Sequence, residues 1–239
     1  RARVRRARTG ARQRQPRLMA RSSVASIAIG VLFIIGLGVF GYFASAVENF
    51  PGEVRSSTWV QSWRTSWLDT AMKAASWQGT LPVAAPALLV LSIGVYARGW
   101  RAEAVLVLAT TVTGRLVAMG LKEVIARPRP PDSVVHVLQE TDTYSFPSGH
   151  AMHYAVLFGI VLVALSGRTG SRTVVWTAVA VFAIALLAMG MSRIYLGMHW
   201  TGDVVGGYAF GAGVVMAATW VWGRWSARPA TKDAGPPIG

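Results

Sequence analysis

The chain has no cysteine, few acids and little charge of either sign. Without cysteine there is no disulfide framework, no thiolate metal site and no cysteine nucleophile. Charged residues fill 14% of the 239 positions and hydrophobic ones 53%. A soluble domain carries about a quarter charged residues, so this balance argues against a free globule. Ten acids stand against 24 Lys and Arg, a formal +14. In a soluble protein that excess points to nucleic acid, whose phosphates release counterions to cationic patches. Here the apolar content competes with that reading. Repeats of solenoid period are absent as well.

What the chain does have is apolar length. A bilayer core is crossed by about 20 apolar residues in a helix. Stretches approaching that length run over 23–46, 80–96, 104–121 (interrupted by Arg115), 151–166, 174–191 and 204–222. The expected fold is all-α: an integral-membrane six-helix bundle over 22–223, between an Arg-rich disordered tail at 1–21 and a second tail at 224–239. Phe43-Ala44-Ser45-Ala46 resembles a signal-peptidase site. The apolar run before it is longer than a signal core of about 7–15 residues, so the first span reads as a retained anchor.

Orientation follows from the cations, which gather in short cytoplasmic segments. Nine arginines between Arg1 and Arg21 place the start inside. With six spans, the turns carrying Arg98 and Arg101, and Arg168 and Arg172, share that side with Arg224, Arg228 and Lys232. Sixteen of the 24 cations are then inside, seven outside, and Arg115 is in the membrane. The expectation is a plasma-membrane protein with both termini cytoplasmic, its basic tail on anionic inner-leaflet lipids rather than on nucleic acid. Between the first two spans Trp59, Trp63 and Trp67 recur every four residues. That spacing predicts an interfacial amphipathic helix on the outer surface, its indoles at headgroup depth.

The unusual polar residues fall on the outer side of this topology. Lys122 and Arg129 follow the third span, Pro147-Ser148-Gly149-His150 opens the fourth, Arg193 closes the fifth, and His199 and Asp203 open the sixth. Lys122, Arg129 and Arg193 suit a multiply charged anion, since arginine offers a planar fork to phosphate oxygens and lysine a compact charge. Ser148 and Gly149 begin a helix, where unpaired backbone N–H groups donate to the same anion. His199 and Asp203 are four apart, which on a helix gives one face, so the carboxylate can hold one imidazole nitrogen and leave the other free to attack. His150 can then protonate a leaving alkoxide.

Each feature alone has an ordinary structural reading: a snorkelling cation, a helix-starting turn, a satisfied His–Asp pair. Together, on one side of the bilayer, they argue for a site. His136 belongs to a polar loop and is expected in solvent. His153, one turn after His150, either lines the pocket or packs. Zinc on His150, His153, His199 and Asp203 is disfavoured by the surrounding cations. Arg115 lies seven residues before Lys122, about 10 Å deeper along the helix. It is a candidate to sit beneath the pocket.

Lys122-x6-Arg129-Pro130, Pro147-Ser148-Gly149-His150 and Ser192-Arg193-x5-His199-x3-Asp203 together resemble the three signature motifs of the type 2 phosphatidic acid phosphatase family, in order and complete over about 104–222. Arg127-Pro128 offers a competing register, set aside because only Arg129 has the motif's spacing. The resemblance implies a metal-independent, cofactor-free lipid phosphatase at the extracytoplasmic face. His199 would form a phosphohistidine oriented by Asp203, and His150 would be the acid. Lys122, Arg129, Ser148, Gly149 and Arg193 would hold the phosphoryl oxygens. Soluble vanadate-dependent haloperoxidases share the signature, but six spans oppose that reading. Permitted substrates include polyprenyl diphosphate, phosphatidylglycerol phosphate and phosphatidic acid. An Ala-, Arg- and Trp-rich bacterial composition leans toward polyprenyl diphosphate recycling for envelope synthesis. A lipid phosphotransferase, and a non-catalytic anionic-lipid binder or transporter, are the alternatives.

Overall fold

The computed structural model describes residues 15–139 and 141–226, with side chains from 28 to 225 within that range. The rest of the tails expected at 1–21 and 224–239 lies outside the described residues. Among the described residues eight helices follow in order: α1 (Gln15–Ala46), α2 (Glu53–Gln61), α3 (Ser66–Trp77), α4 (Leu81–Ala97), α5 (Arg101–Ile125), α6 (Gly149–Arg168), α7 (Arg172–Tyr195) and α8 (Thr201–Ser226). No strand occurs among the described residues. At its two ends the bundle takes in 15–21 and 224–226, which the sequence pattern had assigned to the tails.

Among the described residues five helices are long and apolar enough to cross a bilayer: 28–46 of α1, α5, α6, α7 and α8. The expected second span corresponds to α4, which has 17 residues and passes the same test only together with α3, from which it is bent by 55°. The count is therefore five, or six if this bent pair is one span. The single Trp helix is also corrected. The chain leaves α2 after Gln61 and restarts at Ser66, because the Thr65 side chain accepts from Leu68 N and caps a new helix. Trp59, Trp63 and Trp67 all remain exposed, but they stand on α2, on the intervening turn and on α3.

The centre is α6, which packs on α5, α7 and α8. Small residues let α6 and α8 approach closely. A Cβ on Gly207 would lie 2.7 Å from Ser148 O and 2.9 Å from the Ala151 Cβ, and one on Gly211 2.7 Å from the Ala155 Cβ. Val107, Val156 and Ile160 fill the α5–α6 seam. Phe146 packs against Phe40 and Phe210 and joins the loop before α6 to α1 and α8. At one end of the bundle Arg168 grips Glu103 through two bonds of 2.7 and 2.8 Å. The polar cluster forms at the other end, where the α5–α6 loop, the α7–α8 turn and α2–α3 meet.

Candidate active site

His199 sits in the short turn between α7 and α8, one residue before the α8 N-cap, and is 2% exposed. Asp203 is in the first turn of α8, so the pair is made across a helix start rather than along one helical face. The Asp203 Oδ2 accepts from Trp200 N at 2.8 Å, the reach of an acid at the third helical position back to the N-cap, and the helix dipole favours its charge there. The same oxygen takes the hydroxyl hydrogen of Ser145 and lies 3.5 Å from His199 Nδ1. That separation is at the limit of a hydrogen bond, as is common before substrate tightens a site. Ser145 Oγ is itself 3.4 Å from Nδ1.

On the other edge of the ring, Arg129 Nη1 stands 3.4 Å from Nε2. A guanidinium has only donors, so Nε2 meets it with its lone pair and the proton belongs on Nδ1. Burial first, then the charges of Arg129, Lys122 and Arg193, hold the His199 pKa well below the ordinary imidazole value. The ring is thus neutral with Nε2 unprotonated, the form a nucleophile requires.

The cations reach this point from three elements. Arg129 is fixed by Thr143 O at 2.6 Å, Thr143 Oγ1 at 2.9 Å and Met198 O. Burial lowers its pKa to about 10, which leaves it charged at neutral pH. Lys122, at the end of α5, donates to Tyr144 O and Ser145 O, and its Cε is 3.9 Å from where a Gly149 Cβ would be. Arg193, 1% exposed at the end of α7, donates to Ser76 Oγ and to Met198 Sδ. None of the three forms a salt bridge among the described residues, although two are half-buried and one is buried. Buried charge is costly unless a counter-charge arrives.

The α6 start completes the enclosure. Ser148 is the N-cap, tied to α8 by its N–H on Asp203 O at 2.9 Å. Ser148 Oγ, His150 Nε2, His153 Nδ1 and Arg193 Nε are buried without a hydrogen-bond partner. Such orphaned polar atoms are rare, and these four belong to the start of α6 and to the end of α7, which packs on it. His153 is 7% exposed with its ring edge-on to Tyr154. Arg115 is half-buried, two turns below Lys122 on α5 and within electrostatic reach of Lys122, His150 and His153. His136 is exposed, as expected, beside a surface hollow bounded by Gln61 and Asp132.

Three neighbours of the site escaped the sequence pattern. Ser145 contacts both members of the His–Asp pair. Gly79, in the break between α3 and α4, lies against the His150 ring. Arg127 is wholly buried and bonds Asp203, although its register had been set aside. In the irregular segment after α5 the two arginines part: Arg127 turns to Asp203 Oδ1, behind the His–Asp pair, and Arg129 to His199 Nε2, in front of it.

Residues 103–227 match the model of the PAP2 superfamily. The chain belongs to the PAP2 superfamily. It is 30% identical over 155 residues to phosphatidylglycerophosphatase B of Bacillus subtilis, covering 62% of this chain and 72% of that one. It is also 32% identical over 112 residues to lipid phosphate phosphatase delta of Arabidopsis thaliana, covering 42% of this chain and 26% of the relative. Among solved structures, the transmembrane PAP2-type phosphatidylglycerolphosphate phosphatase of Bacillus subtilis superposes with a TM-score of 0.69 at 24% identity, over 80% of this chain and 96% of that one. LpxE of Aquifex aeolicus gives 0.60 at 20% identity, over 73% and 98%. The bundle is thus the PAP2 fold.

Proposed function

We propose that this chain, a multi-pass membrane phosphatase of the PAP2 superfamily, hydrolyses lipid phosphates by way of a phosphohistidine on His199. One observation carries the reading: Arg129 stands at Nε2 of a buried neutral histidine whose Nδ1 faces a fixed carboxylate, and Lys122 and Arg193 act on the same ring, none of the three cations having an acid partner among the described residues. The lipid phosphate enters with its oxygens on Lys122, Arg129, Arg193 and the Ser148–Gly149 helix start. His199 Nε2 attacks phosphorus, the bond to the leaving oxygen breaks, and His150 donates a proton to that oxygen. Asp203 stabilises the positive ring through Nδ1–H. Water, losing its proton to His150, then attacks the phosphohistidine and releases phosphate. The cations and N–H groups stabilise the charge that develops on the phosphoryl oxygens.

Phosphatidylglycerol phosphate is the first substrate to test, on the strength of the relative aligned over 72% of its length. Polyprenyl diphosphate, favoured by composition, is its competitor. The site faces the extracytoplasmic side, as the distribution of arginines supports. Purified protein with a panel of lipid phosphates should release phosphate in excess chelator and trap an acid-labile phosphoenzyme, both lost in His199→Ala. Full activity in His199→Ala would refute the mechanism. Product transfer to an added lipid hydroxyl would make it a phosphotransferase, while lipid movement without phosphoenzyme would make it a carrier. Because the chain has no cysteine, Ser133→Cys and Gly170→Cys report orientation cleanly. An impermeant maleimide on intact cells should label the first only.

A further inference from the structure

Behind the His–Asp pair lies a chain of three buried charges. Arg127 and Asp203 are fully buried and Glu53 is 5% exposed. Arg127 Nη1 donates to Asp203 Oδ1 at 2.6 Å and Nη2 to Glu53 Oε2 at 2.6 Å. Nη2 also reaches Glu48 O at 3.3 Å, and the guanidinium lies 4.8 Å from the Phe50 ring centre. Glu53 is itself fastened at both oxygens: Oε2 takes Phe50 N at 2.5 Å, and Oε1 takes Gly202 N at 2.7 Å. Gly202 is the residue before Asp203. Glu53 therefore holds both the cation on Asp203 and the backbone that carries Asp203.

Every oxygen of Asp203 has a defined partner. Arg127 takes Oδ1; Ser145, Trp200 N and His199 share Oδ2. If Arg127 released Oδ1, the carboxylate could turn about its own axis and Nδ1 would lose a fixed acceptor. Stability alone does not account for the arrangement, because buried ion pairs are often no better than apolar residues of similar volume. What such a pair does supply is direction.

We propose that Glu53 and Arg127 are positioning residues for the nucleophile, a relay from α2 that orients Asp203 and, through it, His199. The proposal rests on the phosphohistidine reading above. It makes α2 part of the working site, although Glu53 lies outside residues 103–227 that match the family model. Arg127 and Arg129 then divide their duties: Arg127 never touches substrate, and Arg129 faces it.

The test uses the full chain in detergent, with Glu53→Gln and Arg127→Lys, each checked by size exclusion and thermal unfolding. Glu53→Gln keeps an acceptor for Gly202 N but replaces the charged oxygen that accepts from Arg127 Nη2 and Phe50 N by an amide NH2, so it releases Arg127 and serves if the arginine variant does not fold. Expected are unchanged KM and a drop of about 100-fold in kcat and in rapid-quench phosphoenzyme formation, the cost of displacing a reacting group by about 1 Å. In an Asp203→Asn background neither substitution should slow turnover further, since both act through that carboxylate. Wild-type phosphoenzyme formation in the folded variants, a change confined to KM, or losses that multiply with Asp203→Asn would overturn the relay. A wild-type protein that turns over without any phosphoenzyme would refute the phosphohistidine mechanism instead, and the kcat comparison would still decide the relay.

Discussion

Gly79→Ala should impair catalysis without unfolding the protein. Gly79 is buried in the break between α3 and α4, its N–H bonded to Ser76 O at 3.0 Å. It is not among the glycines with positive φ, so its backbone accepts alanine without strain. The added Cβ would lie 3.0 Å from His150 Cγ and 3.1 Å from Nε2, and closer still to Cδ2, where ordinary contact begins at 3.4 Å. The ring has to shift by about 1 Å, and a displacement of that size costs roughly 100-fold in rate. If His150 is the acid, the loss depends on the leaving group. A lipid alkoxide needs the proton; a nitrophenolate does not. Phosphoenzyme formation from a lipid phosphate should therefore fall about 100-fold while its formation from an aryl phosphate stays nearly as fast as before; hydrolysis of the phosphoenzyme, which uses His150 as base, slows alike for both. Folded Gly79→Ala with wild-type lipid turnover, or with equal losses in phosphoenzyme formation on both substrates, refutes the assignment of His150.

Gly207→Ala acts on the same helix start from the other side: its Cβ would press on Ser148 O and Met152 N, backbone atoms that cannot step aside, so both thermal stability and activity should fall. Arg129→Lys keeps the charge but loses the fork on Thr143; loss of one charge-assisted bond of about 1.5 kcal/mol predicts a KM about tenfold higher by steady-state kinetics. For His199 the folded pKa lies below the unfolded value of about 6.5, so its contribution to stability is complete above that pH and is lost as pH falls through the folded value. Melting temperature should decline below about pH 6.5, less steeply in His199→Gln; equal slopes would contradict a neutral His199. At the far end, Arg168→Ala removes a pair whose arginine side chain is 40% exposed and should cost no more than about 1 kcal/mol in unfolding, with kcat unchanged.

What the sequence made legible, and what it hid, follow from the range of the interactions. Helices α5 to α8 were readable because apolar length is a local property, and Lys122, Ser148, Arg193 and His199 because each stands at the end of such a stretch. The second span was placed where α4 lies, though α4 passes for a span only together with α3, whereas the single Trp helix was misread for the complementary reason. Thr65 starts a new helix by a side-chain cap, which does not disturb hydrophobic periodicity. Arg127 and Arg129 present the sharper case. Both precede proline in the irregular segment after α5, and the one with the motif's spacing stands 3.4 Å from His199 Nε2. Nothing local reveals that the other turns inward to Asp203, because its destination depends on Glu53, 74 residues earlier. An anion site can advertise its cations at helix ends, but the groups that aim its nucleophile are recruited from wherever the fold needs to balance a buried charge. In a chain with ten acids, one placed between two spans and fully enclosed is itself a signal. It becomes readable only once the bundle shows which cation it meets.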